Sequence, residues 1–196
     1  MYKQDIFQHT IAVSHRKLSK RPFLEQVEIV CRHKPKAFLL REKDLSEKEY
    51  AVLAQDVLSI CKKYQVPCIL HTYFAVAQEL GCDTIHLPLP LLRTHQNALS
   101  AFSKIGTSIH SLEEAKEAQA LGATYCTAGH IYATDCKKDI PPRGLSFLQE
   151  VCEHTTIPVY AIGGIQCNPL QIEEVLHCGA KGACIMSAMM QLDENR

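Results

Sequence analysis

The residues most able to do chemistry crowd into one stretch, GHIYATDCKKDIPPRG, from Gly129 to Gly144. It holds a histidine, acidic side chains, a cysteine, two lysines and an arginine, with flanking glycines and prolines that favour an ordered, non-helical loop. An imidazole ordinarily titrates near neutral pH, so His130 is the candidate general acid or base; a histidine satisfied by loop carbonyls is the plain alternative. Cys136, beside Lys137 and Lys138, is a weaker candidate nucleophile, because adjacent cations favour a thiolate. Arg41 and Lys43, within the triplet Arg41-Glu42-Lys43, and the pair Lys137 and Lys138 are candidates to hold a carboxylate or phosphate, against a charged surface run. Gly163 and Gly164, in AIGGI, offer bare backbone N–H groups to an anion, and Ser187 and Ala188, in IMSA, supply a matching edge. A turn that needs glycine for steric reasons is the alternative there.

These residues have to be positioned by something, and the pattern supplies it. Short β-type runs at 6–14, 37–41, 67–71, 84–88, 104–109, 123–130, 158–163 and 182–187 alternate with helical stretches at 22–31, 46–64, 74–80, 90–100, 111–122, 145–152 and 169–178. Ser46 with Glu49 and Ser111 with Glu114 have the spacing of capping boxes. Strands without strict alternation predict a parallel sheet buried on both faces. Eight of them predict one compact (β/α)8 TIM-barrel domain spanning residues 1–196. A doubly wound open sheet would need a glycine-rich loop after the first strand, and Ser14-His15-Arg16 is not one.

In a barrel the strand ends converge on one face, which gathers Arg41, Glu42, Lys43, His71, His86, His110, His130, Gly163, Gly164 and Ser187. The loops after strands seven and eight are the usual phosphate site, so the expected partner is a small phosphate-bearing ligand. Four histidines at one mouth raise the prospect of a metal site, but the only acid at a strand end is Glu42, so no metal is expected.

Bulk properties narrow the classes. A formal net charge of +0 gives no basic footprint for nucleic acid. No apolar run approaches a membrane span and no leader pattern opens the chain, which predicts a cytoplasmic protein. The 10 cysteines form no CxxC pair and read as reduced, buried thiols. Little apolar sequence follows the eighth strand, so the closing helix is expected to be short or missing, and a second copy of the chain is expected to cover the flank, making a homo-oligomer.

The segments GTSIHSLEEAKEA, GH-x-x-x-TDCKK with its following RG, and PVYAIGGI resemble the thiamine-phosphate synthase superfamily, and more closely its thiazole tautomerase branch. The similarity runs from the Arg41-Glu42-Lys43 triplet to IMSA. The tautomerase resemblance implies an isomerase without metal or redox cofactor. His130 would move protons on a dearomatised thiazole phosphate carboxylate, basic residues among Arg41, Lys43, Lys137 and Lys138 would meet the carboxylate, and Gly163, Gly164, Ser187 and Ala188 would receive the phosphate. It also implies that His110 and His86 line or support the pocket. The synthase resemblance implies instead the joining of a pyrimidine pyrophosphate to a thiazole phosphate, with Mg²⁺ held by aspartates after the third and fourth strands. Here His71-Thr72-Tyr73 and Leu87-Pro88-Leu89-Pro90 stand at those places, which counts against it. A descendant that binds thiazole or thiamine phosphate without turnover is the third reading.

Overall fold

A computed structural model of the protein describes residues 5–134 and 139–194. Eight parallel strands close into a barrel in sequence order: β1 (Thr10–Val13), β2 (Ala37–Leu40), β3 (Cys68–His71), β4 (Thr84–Pro88), β5 (Lys104–Ile109), β6 (Tyr125–Gly129), β7 (Val159–Ile162) and β8 (Gly182–Ile185). β8 pairs back onto β1, with Ile11 opposite Cys184. The helices are α1 (Asp5–Gln8), α2 (Phe23–Arg32), α3 (Glu47–Tyr64), α4 (Phe74–Glu79), α5 (Leu89–Thr94), α6 (Gln96–Leu99), α7 (Leu112–Ala120), α8 (Gly144–His154), α9 (Pro169–His177) and α10 (Ser187–Met190).

Each strand divides its side chains by parity. One set packs outward against the helices, in a core that includes Phe38, Leu40, Leu70, Ile85 and Leu87. The other fills the barrel, where Ile11, Val13, Leu39, Ile69, Tyr125, Tyr160 and Cys184 form a separate buried cluster. Gly106 is glycine for a packing reason, since the Tyr125 ring occupies the space a Cβ would need. Each fully buried aliphatic or aromatic side chain is worth about 1.5–3 kcal/mol, so the interior layer is a substantial part of the fold.

Three sequence expectations need correction. The run 6–14 is not one strand: Asp5–Gln8 is a helix whose Ile6 and Phe7 are buried, and β1 begins only at Thr10. The stretch 90–100 divides into α5 and α6 at His95. β6 ends at Gly129, so His130 is the first residue of the loop rather than the last of the strand. The short closing helix is present as α10, four residues long. Its Met189 and Met190, and Leu192 beyond it, are buried within the chain.

Candidate functional site

Strand parity also builds the site. Continuing the inward set to the C-terminal end of the barrel gives Val13, Leu39, Arg41, His71, His86, Pro88, Ser108, His110, Thr127, Gly129, Ile162, Gly164, Cys184 and Met186, and these line a cavity of about 550 Å³. Loop residues Lys43, His130, Thr134, Gly163, Ile165, Gln166 and Ser187 complete it, with Glu114 from α7 and Leu89 and Pro90 from α5. Arg41, Lys43, His110, His130, Gly163, Gly164 and Ser187 are therefore brought together as expected. Ala188 is not among the lining residues and packs partly against the outer core. Lys137 and Lys138, with Asp135 and Cys136, lie outside the described residues.

His130 is buried, and its Nε2 lies 3.2 Å from the carbonyl oxygen of Ile140. A carbonyl only accepts, so Nε2 is the donor in this contact. The same logic makes Nδ1 of His110 the donor to the Gly129 carbonyl oxygen at 2.7 Å. Glu114, placed in the sequence to close a capping box on Ser111, instead accepts from the His110 backbone N–H at 2.5 Å, while Ser111 still caps the Glu114 N–H.

On the opposite wall His71 and His86 stack with ring centroids 5.8 Å apart and planes at 20°. His86 Nε2 is 2.9 Å from Ser108 Oγ, its Nδ1 is 3.1 Å from Tyr125 Oη, and Thr127 Oγ1 donates to Ser108 Oγ at 3.1 Å. His71 Nδ1 is 2.6 Å from Thr72 Oγ1. Burial, followed by the charges of Arg41 and Lys43, pushes His86 down to about 3. Burial, then His86, Arg41 and Lys43, pushes His71 down to about 2. Both rings are neutral hydrogen-bonding groups at physiological pH. Ser108, Tyr125 and Thr127 were not singled out from the sequence. Ser108 lies two positions before His110, and Thr127 and Tyr125 lie two and four before Gly129, the observed end of β6, so correct strand ends would have pointed to them.

Gly163 and Gly164 have φ values of 98° and 72°, a region that favours glycine. A Cβ on Gly163 would collide with His130 Cβ, and one on Gly164 would meet Tyr132 Cβ at 2.7 Å. The pair is thus required sterically to seat the loop after β6, whatever else it binds.

At the β2 end Arg41 and Lys43 line the cavity, whereas the Glu42 side chain between them is fully buried. It accepts from Ser14 Oγ at 2.7 Å, the Arg16 backbone N–H at 2.9 Å and Arg16 Nη1 at 3.1 Å. The donor set does not fit the Mg²⁺ that the synthase resemblance implies. Glu42 is turned away and bonded to Ser14 and Arg16, Glu114 is tied to a backbone N–H, the β3 end carries an imidazole and the β4 end Leu87-Pro88, where a hard cation wants oxygens. Among the described residues no group of three or more His, Cys, Asp or Glu side chains is placed to hold a metal.

Comparison with known proteins gives the lineage. The family model for thiamine monophosphate synthase matches residues 10–189. The chain is 33% identical over 183 residues to the thiamine-phosphate synthase of Clostridium novyi, covering 90% of this chain and 87% of that one. It is 40% identical over 147 residues to the thiamine-phosphate synthase of Listeria monocytogenes, covering 72% and 68%. The solved thiamine phosphate pyrophosphorylase from Pyrococcus furiosus superposes with a TM-score of 0.81 at 27% identity, over 96% of this chain and 91% of that one. These relatives are named for a transferase, which overturns the isomerase expected from the loop motif: GH-x-x-x-TDCKK marks the family here without marking the tautomerase branch. The (β/α)8 barrel, the glycine pair over the loop and the match along nearly the whole chain agree, and the chain belongs to the thiamine monophosphate synthase family.

Proposed function

We propose that this chain is a transferase of thiamine synthesis that joins two phosphorylated heterocycles, a thiazole phosphate and an aminopyrimidine methyl diphosphate, to give thiamine phosphate and free diphosphate. The observation that carries the reading is a cavity with two ends suited to anions. The glycine pair lies after β7, and Arg41 and Lys43 lie three strands round the barrel after β2. A site for one phosphate needs one such end; two support two phosphorylated substrates. The names of relatives 33–40% identical support the same reaction class.

In this reading the thiazole phosphate group sits at Gly163, Gly164 and Ser187, with its ring against His130 and His110. The ring nitrogen lone pair forms the new C–N bond to the exocyclic methylene carbon, and the C–O electron pair leaves with the diphosphate toward Arg41 and Lys43. The attacking nitrogen carries no proton, so His130 acts by contact and alignment rather than as a base. The stacked neutral pair His71 and His86 offers the pyrimidine a planar, hydrogen-bonding wall. Free thiols at the nine described cysteines fit a reducing compartment.

A second reading, a thiazole or thiamine phosphate-binding protein without turnover, is favoured by the donor set that suits Mg²⁺ poorly. One experiment separates them. The full chain is incubated with both substrates, with and without Mg²⁺, and thiamine phosphate is measured by mass spectrometry beside calorimetric titration of thiazole phosphate. Product in either condition supports the transferase. Saturable binding with no product selects the binding protein, and neither result overturns both. His130→Ala is expected to lower kcat/KM for thiazole phosphate by about tenfold, the scale of a lost alignment contact.

A further inference from the structure

The segment after β2 alternates in sign, Arg41, Glu42, Lys43, Asp44, and the two signs are used differently. The cations line the cavity, while both acids are held by one residue on the far side. Arg16, in the turn after β1, donates from Nη1 to Glu42 Oε2 at 3.1 Å. It also grips Asp44 with two bonds, Nη1 to Oδ1 at 2.5 Å and Nη2 to Oδ2 at 2.9 Å. Its backbone N–H adds a fourth contact to this segment, to Glu42 Oε1 at 2.9 Å. Ser14 completes the arrangement, donating to Glu42 Oε1 at 2.7 Å and accepting from the Arg41 backbone N–H at 2.8 Å. Lys17 Nζ lies 2.7 Å from Asp44 Oδ2 as well.

We infer that Arg16 is a positioning residue for the diphosphate end of the site: by clamping Glu42 and Asp44 outward it turns Arg41 and Lys43 inward together. The inference rests on the reading that those two cations receive the diphosphate. Arg41 and Glu42 run on from β2 while Lys43 and Asp44 open a turn; both acids are bonded to Arg16 and the cations that alternate with them line the cavity, so fixing the acids constrains the cations. A guanidinium suits the task because its rigid planar fork can hold one carboxylate bidentately while meeting a second, a directed geometry that the point charge of an ammonium does not supply. Arg16 itself is not among the residues lining the cavity, so it acts through the strap. Glu42 is fully buried beside it, and without Arg16 that carboxylate would lose a charged partner and pull the strap toward water.

The test titrates inorganic pyrophosphate and, separately, thiazole phosphate into the full-length protein by calorimetry. Arg16→Met is expected to weaken pyrophosphate by about tenfold, as for an intact but misplaced charged contact, while thiazole phosphate changes by less than about twofold. Arg16→Lys is expected to recover only part of the loss, because an ammonium keeps the charge but not the three directed guanidinium bonds to Glu42 and Asp44. Equal losses for both ligands would mean a general structural role, and no loss for pyrophosphate would mean no role; either overturns the inference. If Arg16→Met does not fold, Glu42→Gln and Arg16→Lys carry the same comparison of the two ligands. The double variant Arg41→Ala with Lys43→Ala is the reference. If it leaves pyrophosphate binding intact, the assignment of the diphosphate to those cations fails, independently of the clamp.

Discussion

At the scale of single residues, the inner wall is defined by two imidazoles that do not take up a proton in the folded state. His71 and His86 are held neutral mainly by burial, their folded values pushed down to about 2 and about 3. An imidazole in the unfolded chain titrates at about pH 6.5. Between that pH and the folded values the unfolded state binds more protons, so the contribution is complete above about pH 6.5 and lost as pH falls. Each ring costs about 1.4 kcal/mol per pH unit in that window, so the pair is expected to lower stability by about 4 kcal/mol between pH 6.5 and pH 5. Urea titrations at pH 7 and pH 5 measure this, and His86→Asn should flatten the difference by roughly half. An unchanged difference in that variant would mean that His86 is not the buried titrating group. Residue chemistry was legible in part: His71 and His86 were visible as strand-end histidines, but their neutrality comes from burial and from Arg41 and Lys43 across the mouth, which no local pattern reveals.

Elements set the limits of what a local pattern can say. β4 and β5 begin and end where the apolar runs do, and the Ser46–Glu49 box caps α3 from both sides, with Glu49 Oε2 accepting from the Ser46 N–H at 2.9 Å. Ser46→Ala is expected to cost about 1 kcal/mol in a denaturant midpoint measured with unchanged slope. The run 6–14 misleads because a short apolar segment has no period of its own, and Ile6 and Phe7 become helical by packing under the barrel. The loop after β6 was legible as a loop, but its dependence on the glycine pair was not, because the contact joins residues more than thirty positions apart. That contact is testable against an internal control. Gly81 has φ 67° with nothing within 4 Å of a built Cβ, so Gly81→Ala is expected to cost only the backbone term, about 1 kcal/mol. Gly163→Ala carries the same backbone term and also drives a methyl into His130 Cβ. It is expected to cost about 2–4 kcal/mol and to abolish measurable thiazole phosphate binding, whereas Gly81→Ala leaves binding unchanged. Equal stabilities for the two variants would show that the loop yields at no cost.

For the whole molecule, the decisive feature is how the barrel closes. β8 meets β1 across a seam backed by only a four-residue helix, and the sequence led to the expectation that a partner would be needed there. Within the chain one polar residue ties the seam. Gln26 on α2 is buried, and its Nε2 donates to the Met189 carbonyl oxygen at 2.8 Å and the Leu192 carbonyl oxygen at 3.0 Å, pinning the turn that buries Met189, Met190 and Leu192. A glutamine within an apolar helix face carries no sign of this use in sequence, since its partners lie 163 and 166 residues away. Gln26→Leu keeps the approximate volume but leaves two buried carbonyls without a donor, at about 1–3 kcal/mol each in the worst case. Among the described residues the Gln26 Oε1 atom has no hydrogen-bond partner, so its removal is expected to return part of that cost. The expected net loss is about 1–3 kcal/mol, read as a lower urea midpoint. Because every strand pairs with both neighbours round the ring, the loss should appear in one cooperative transition rather than as separate melting of the last strand and helix. Ser187, at the start of α10, lies just above the seam and lines the cavity, so if thiazole phosphate binds as proposed it is expected to raise the midpoints of the wild type and of Gln26→Leu alike, by an amount that grows with the logarithm of ligand concentration. Failure of ligand to stabilise the variant, with the barrel still folded, would mean that the seam and the phosphate end are one mechanical unit.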